Sequence, residues 1–191
     1  MNKLLLRTSN QRGMTLIELI LVIAIIGILF NIGLPAFDDL INRSKLYSEL
    51  SQLRGTLQLA RKTAVTQSKK VTLCPTVDGQ TCSRGWSDGY MAFVDDNQDR
   101  IFNAGDQLLT WHALQEERIS LRFRAFGRTS SLQWMQTGIT NHQNGTFEIC
   151  FKEKSRLSRA LFITKAGRIR PSDDADGDGI HENASGNNIN C

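Results

Sequence analysis

The chain has 191 residues, 40% of them hydrophobic and 22% charged, with a formal net charge of +4. That length leaves room for one apolar anchor and one modest head with a single core, which excludes an array of domains. Bulk charge argues for no particular partner: three cations, Lys3, Arg7 and Arg12, precede the apolar run, and the rest of the chain balances twenty cations against nineteen acids.

From Met14 to Leu34 the chain is almost wholly apolar, and its only charge is Glu18. This is about the ~20 residues that a helix needs to cross the hydrocarbon of a bilayer. The three leading cations have no acid among them, so the leader is expected to stay cytoplasmic and the rest to pass outward. A secretory signal is cut after its apolar run, at small residues. Phe30-Asn31-Ile32-Gly33-Leu34-Pro35 offers no such site, and the small residue stands before the run, at Gly13.

Gly13-Met14-Thr15-Leu16-Ile17-Glu18 resembles the type IV prepilin signal. The resemblance implies that a prepilin peptidase in the membrane cuts between Gly13 and Met14 and methylates the new terminus on Met14. A carboxylate at the bilayer edge costs a few kcal/mol unless it finds a partner. In pilins that partner is the free α-amino group of a neighbouring subunit, so the resemblance makes Glu18 the residue that sets axial register during assembly. Thr15-x-x-Glu18 is also a capping box, but a cap alone leaves the Gly13–Met14 junction without a reason.

Pro35 removes a helical hydrogen bond, and a kink or local melting is expected there. Beyond it Leu46, Leu50, Leu53, Leu57, Ala60 and Ala64 recur at spacings of three and four, one face of a helix. Arg43, Lys45, Glu49, Arg54, Arg61 and Lys62 occupy the rest of that helix. After Lys70 the pattern changes to short β-like runs: Val71–Cys74, Tyr90–Val94, Gln107–His112, Ile119–Phe126, Leu132–Gln136, Thr146–Phe151, Ala160–Thr164 and Arg168–Arg170. In the fourth run Arg122 and Arg124 alternate with apolar residues and are expected to face outward. One long helix followed by strands predicts an α+β fold, with an antiparallel sheet laid on the helix. The expected segments are a leader, 1–13; a membrane and filament-core helix, 14–35; an amphipathic helix, 36–68; and a β-rich head, 69–191.

Cys74, Cys82, Cys150 and Cys191 form an even set in an exported domain, which favours two disulfides. Three pairings are possible. Proximity favours Cys74 with Cys82 and then Cys150 with Cys191, which would tie the last residue to a central strand. A zinc site is disfavoured because no C-x-x-C pair exists and His112, His142 and His181 are scattered.

The succession Ala64-Val65-Thr66, Val71–Cys74, Gly85-Trp86-Ser87-Asp88-Gly89-Tyr90, Phe93-Val94-Asp95, Asp106–Leu109 and Gly167–Arg170 resembles the GspH/FimT group, which holds type IV minor pilins and type II secretion pseudopilins. Within it, Gly167-Arg168-Ile169-Arg170 resembles the Gly-Arg-x-Arg element by which FimT-like minor pilins of transformable bacteria hold DNA. On an extended strand the two arginines are expected to point the same way, and Gly167 to let the backbone approach a ligand. Paired guanidinium groups suit phosphate oxygens, so Arg168 and Arg170 are expected to contact the DNA backbone with little sequence preference. Lys165, Arg159, Arg156, Lys154 and Lys152 stand close in sequence and are expected to widen the patch; a solvated strand edge guarded by charge is the plainer explanation.

Downstream, Asp173, Asp174, Asp176, Asp178 and Glu182 crowd one segment and raise the concern that it folds over the arginines. Asp174, Asp176 and Asp178 have the Asp-x-Asp-x-Asp-Gly spacing of a calcium loop, with Glu182 a possible further ligand. The twelfth position is Ser185 rather than an acid, and a solvated acidic loop is the simpler expectation. Asp95-Asp96-Asn97-Gln98-Asp99 has similar spacing but is read as a hairpin turn. Trp86, Trp111 and Trp134 are read as core packing rather than a platform for bases. No nucleophile elbow, phosphate loop or histidine cluster marks an enzyme.

The expected protein is thus a minor pilin, inserted in the inner membrane with a periplasmic head and then built with other pilins into a surface filament. DNA capture for transformation is the first role considered; pilus priming and type II secretion are the others. No cofactor is expected beyond the possible calcium.

Overall fold

The structure, a computed structural model, describes residues 13–125, 130–140, 143–152 and 154–191, with the side chains of 32–36 and 155 excluded. Lys3, Arg7, Arg12, Phe126 and His142 lie outside the described residues. The chain divides into two compact units, Met1–Ile41 and Asn42–Cys191.

Helix α1 runs from Leu16 to Gln67. It opens on a cap, the amide of Glu18 donating to Thr15 Oγ1 at 3.3 Å. The helix is unbroken through Pro35, so the local melting expected there does not occur; one missing bond is a small loss in a cooperative helix of 52 residues. In the first unit Leu16, Ile17, Ile20, Ile23, Ile28 and Leu29 are all more than half exposed. Among the described residues no helix is long and apolar enough to cross a membrane, the described side chains of the run ending at Asn31.

In the second unit the expected stripe becomes the core. Leu46, Leu53, Leu57, Ala60 and Ala64 are buried, and Leu50 packs beside them. Eight strands follow: β1 (Val71–Pro75), β2 (Gly89–Val94), β3 (Gln107–Ala113), β4 (Ile119–Ala125), β5 (Leu132–Trp134), β6 (Gly145–Phe151), β7 (Ser158–Ile163) and β8 (Ile169–Pro171). They form two antiparallel four-stranded sheets, ordered β3-β2-β1-β5 and β4-β6-β7-β8, rather than the single sheet expected. β4 leaves its sequence neighbour β3 and pairs with β6. The separation lets both sheets bury one face in a common core with α1, where Leu73, Tyr90 and Trp134 from one sheet join Leu121, Phe147 and Leu161 from the other. Trp86 packs edge-on against Phe147 with centroids 4.9 Å apart.

The other face of the β4–β8 sheet is covered by the chain's own C-terminus: Ile189 packs on Cys150, Ala160 and Phe162. Arg122 is therefore less open than expected, donating to the Asn190 carbonyl at 3.1 Å and lying 4.0 Å from Glu148. Disulfides join Cys74 to Cys82 and Cys150 to Cys191; the second ties this flap to β6.

The Asp95–Asp99 segment lies in the connection between the antiparallel neighbours β2 and β3, as expected of a hairpin, but Asp95 does more than turn the chain. It is buried, and its Oδ2 accepts from Thr72 Oγ1 and Gln133 Nε2, both at 2.8 Å, and from the Arg100 amide at 3.1 Å. One carboxylate thus joins β1, β5 and the β2–β3 connection.

Candidate functional site

The turn between β7 and β8 is built by local bonds. Arg168 donates its amide to Thr164 Oγ1 at 3.2 Å, the Thr164 amide donates to the Arg168 carbonyl at 3.1 Å, and the Gly167 amide donates to the Thr164 carbonyl at 2.8 Å. Gly167 has φ +72°, a left-handed conformation that favours glycine. A Cβ there would lie 2.0 Å from the Gly138 carbonyl oxygen. The close approach that Gly167 permits is therefore to the chain's own backbone, not to a ligand as expected from sequence.

Helix α1 fixes the same turn. Arg61 Nε donates to the Gly138 carbonyl at 3.0 Å, and its Nη2 donates to the Ala166 carbonyl at 3.1 Å. The Thr140 amide donates to the Lys165 carbonyl at 2.9 Å. The turn is held between α1 and the segment after β5, so it presents its side chains from a rigid base.

Arg168 lies just before β8 and Arg170 within it, and both are exposed. They do not form one parallel pair over one surface. Arg168 lines a hollow of about 460 Å³ together with Gln58, Arg61, Lys62, Val65 and Ile169. Arg170 stands over the Phe162 ring, 5.8 Å from its centroid, and lines a separate hollow of about 330 Å³ with Lys165, Thr146 and Asn144. Arg168 stands one residue before β8 begins at Ile169, and it is the different hollows that separate the two guanidiniums. Among the described residues no carboxylate lies within ion-pair distance of Arg168, Arg170, Lys165 or Lys62.

The remaining cations do not extend this surface. Arg159 is buried; its Nη1 donates to the Ser158 carbonyl at 2.7 Å and its Nη2 to Tyr47 Oη at 3.3 Å. Lys152, Lys154 and Arg156 lie at the β6–β7 end of β7, about 20 Å from the β7–β8 turn at the ordinary rise of a six-residue strand. Proximity in sequence becomes separation in space because a strand is extended.

Nor does the acidic segment fold over the arginines. Its carboxylates cap its own backbone: Asp174 Oδ1 and Oδ2 accept from the Gly177 and Gly179 amides at 2.8 and 2.9 Å, and Glu182 Oε2 accepts from the Ala175 amide at 3.0 Å. Asp174, Asp176 and Glu182 can bring one oxygen each within 4.8 Å of one another. Asp178 is outside that group and accepts from Asn188 Nδ2 at 2.7 Å, so only three of the four expected ligands come together. Beside them His181 is held below its ordinary pKa by burial and by the Arg159 guanidinium.

Of the tryptophans, Trp86 and Trp134 are buried as expected; Trp111, on edge strand β3, is 46% exposed, because the outer side of β3 has no neighbouring strand. The spacing in sequence places Arg61 and Lys62 on the helix face opposite the apolar stripe. The carbonyls that Arg61 meets lie 77 and 105 residues away, and helical periodicity gives a face but not what it meets.

The family described as Type II transport protein GspH matches residues 49–167, and the prokaryotic N-terminal methylation motif matches residues 8–30. Pilin-like protein PilA1 of Thermus thermophilus is 31% identical over 103 residues, covering 54% of this chain and 60% of that protein. The type IV major fimbrial protein FimA of Dichelobacter nodosus is 37% identical over 79 residues, covering 41% of this chain and 45% of that one. The chain therefore spans about half the length of these curated relatives. Among solved structures, the type IV minor pilin FimU of Pseudomonas aeruginosa superposes with a TM-score of 0.53 at 24% identity, covering 67% of this chain and 88% of that one, a likeness of fold.

Proposed function

Because the chain belongs to the GspH family and has the type IV pilin fold, we propose that it is a minor pilin which binds DNA through the β7–β8 hairpin. In this reading a prepilin peptidase cuts after Gly13 and methylates Met14. The apolar run of α1 resides in the inner membrane until it packs among other pilins, Glu18 pairing with a neighbour's amino terminus. The exposed apolar side chains of the first unit support that packing; alone in water they would be costly.

The observation that carries DNA binding is the pair of exposed guanidiniums, without an acidic partner among the described residues, on a hairpin anchored by Arg61. Since Arg168 and Arg170 line different hollows, each addresses its own phosphate, and recognition is independent of sequence. The test is a titration of the full chain, in non-ionic detergent, against duplex DNA at several salt concentrations. The slope of log affinity on log salt should be negative, and Arg168→Gln and Arg170→Gln should each reduce it by about 0.9. Absence of binding at low salt by the folded protein would reject this role. The family description itself favours the second reading, a type II secretion pseudopilin; the same variants would then leave secretion intact and DNA binding absent from the start.

A further inference from the structure

The hollow beside Arg168 has an unusual lining. Three of its seven side chains, Arg61, Lys62 and Arg168, are cations and none is an acid. Two come from α1 and one from the hairpin, so the crowding of like charge is made by tertiary structure rather than by one basic segment. The negative end of α1 favours cations in its own last turn, but that influence fades within the turn and gives no reason for Arg168. Arg61 spends two of its donors on the Gly138 and Ala166 carbonyls. Lys62 and Arg168 have no acidic partner among the described residues. Val65 and Ile169 add apolar surface to the lining. Its volume of about 460 Å³ is in the range of ligand clefts, larger than one phosphate needs.

We propose that this hollow seats a sugar–phosphate segment of one DNA strand, so that α1 itself carries part of the DNA site. Lys62 and Arg168 contact phosphate, the sugar rests on Val65 and Ile169, and Gln58 and Thr66 supply neutral hydrogen bonds. Arg61 is a positioning residue, acting through the turn that bears Arg168. The inference rests on the reading of the protein as a DNA-binding pilin and adds contacts that the Gly-Arg-x-Arg element does not contain.

The experiment uses the full chain in non-ionic detergent and a duplex of random sequence between 50 and 200 mM salt, roughly the span over which counterion release is readily measured. Lys62→Gln should weaken binding several-fold and reduce the salt slope by about 0.9, while Lys62→Arg retains both. Arg54→Gln removes the same charge from exposed α1 surface outside the hollow and should change neither. Arg61→Lys should weaken binding in the parent chain but not in an Arg168→Gln background. If Lys62→Gln binds like the parent while Arg168→Gln does not, the hollow is rejected and the hairpin reading stands. Equal losses from Lys62→Gln and Arg54→Gln also reject it, since a diffuse field then accounts for the effect. If the parent itself fails to bind, both ideas fall together.

Discussion

Single residues here are decided by what packs against them. Gly167 in sequence suggests an opening for a ligand, yet the space a side chain would take there is filled by the Gly138 carbonyl. Arg159 belongs to a run of cations in sequence, yet it lies buried against Tyr47 of α1, its guanidinium 5.5 Å from that ring. Asp95 stands in an acidic turn and serves as a buried acceptor for three donors from three segments. Burying polar groups without partners costs about 1–3 kcal/mol. Asp95→Ala leaves Gln133 and the Arg100 amide without this acceptor, so it should lower unfolding stability by about 2–3 kcal/mol in urea titration. An unchanged midpoint would show that the network contributes nothing.

Elements follow their patterns more faithfully than residues do. The leucine and alanine stripe of α1 is buried as the spacing demands, because a helix has one geometry and its faces follow from it. Each expected strand is found, with ends shifted by at most two residues among those described. The C-terminal flap is different in kind: it has few strand signals and is held by Ile189 and the Cys150–Cys191 disulfide. That bridge closes a segment of 41 residues, for which loop-closure entropy predicts about 4 kcal/mol of stabilisation. Replacing both cysteines by serine should lower the urea midpoint accordingly. Hydrogen exchange should then rise across 172–191 and remain low in β1 and β2. Uniform exchange throughout the head would instead show that the flap is not a separate cooperative unit.

For the whole molecule, stability should depend on pH in two windows. Asp78 is lowered to about 2 by the Gln80 and Thr81 amides, and Glu116 to about 2 by its bonds to Arg118 and Lys45. His181 is lowered by burial from its ordinary value of 6.5. In each case the fold binds fewer protons than the unfolded chain, so stability rises with pH through the shifted range. The contribution of His181 is present above about 6.5 and is lost as pH falls through its lower folded value; those of the carboxylates are lost below about 4. Thermal unfolding from pH 8 to 3 should decline in these two steps, and His181→Asn should flatten the upper one only. By itself the sequence determined the prepilin-like junction at Gly13, the buried face of α1, the order of eight strands and the presence of a Gly-Arg-x-Arg element. Each is a local signal, carried by neighbours in the chain or by the repeat of one element. Tertiary structure alone decided that the strands divide into two sheets, that Arg159 is buried, that the acidic loop caps itself, and that Lys62 of α1 shares a hollow with Arg168. Apart from the loop's own capping, which joins near neighbours, those are meetings between residues far apart in the chain, and periodicity holds no record of which faces meet.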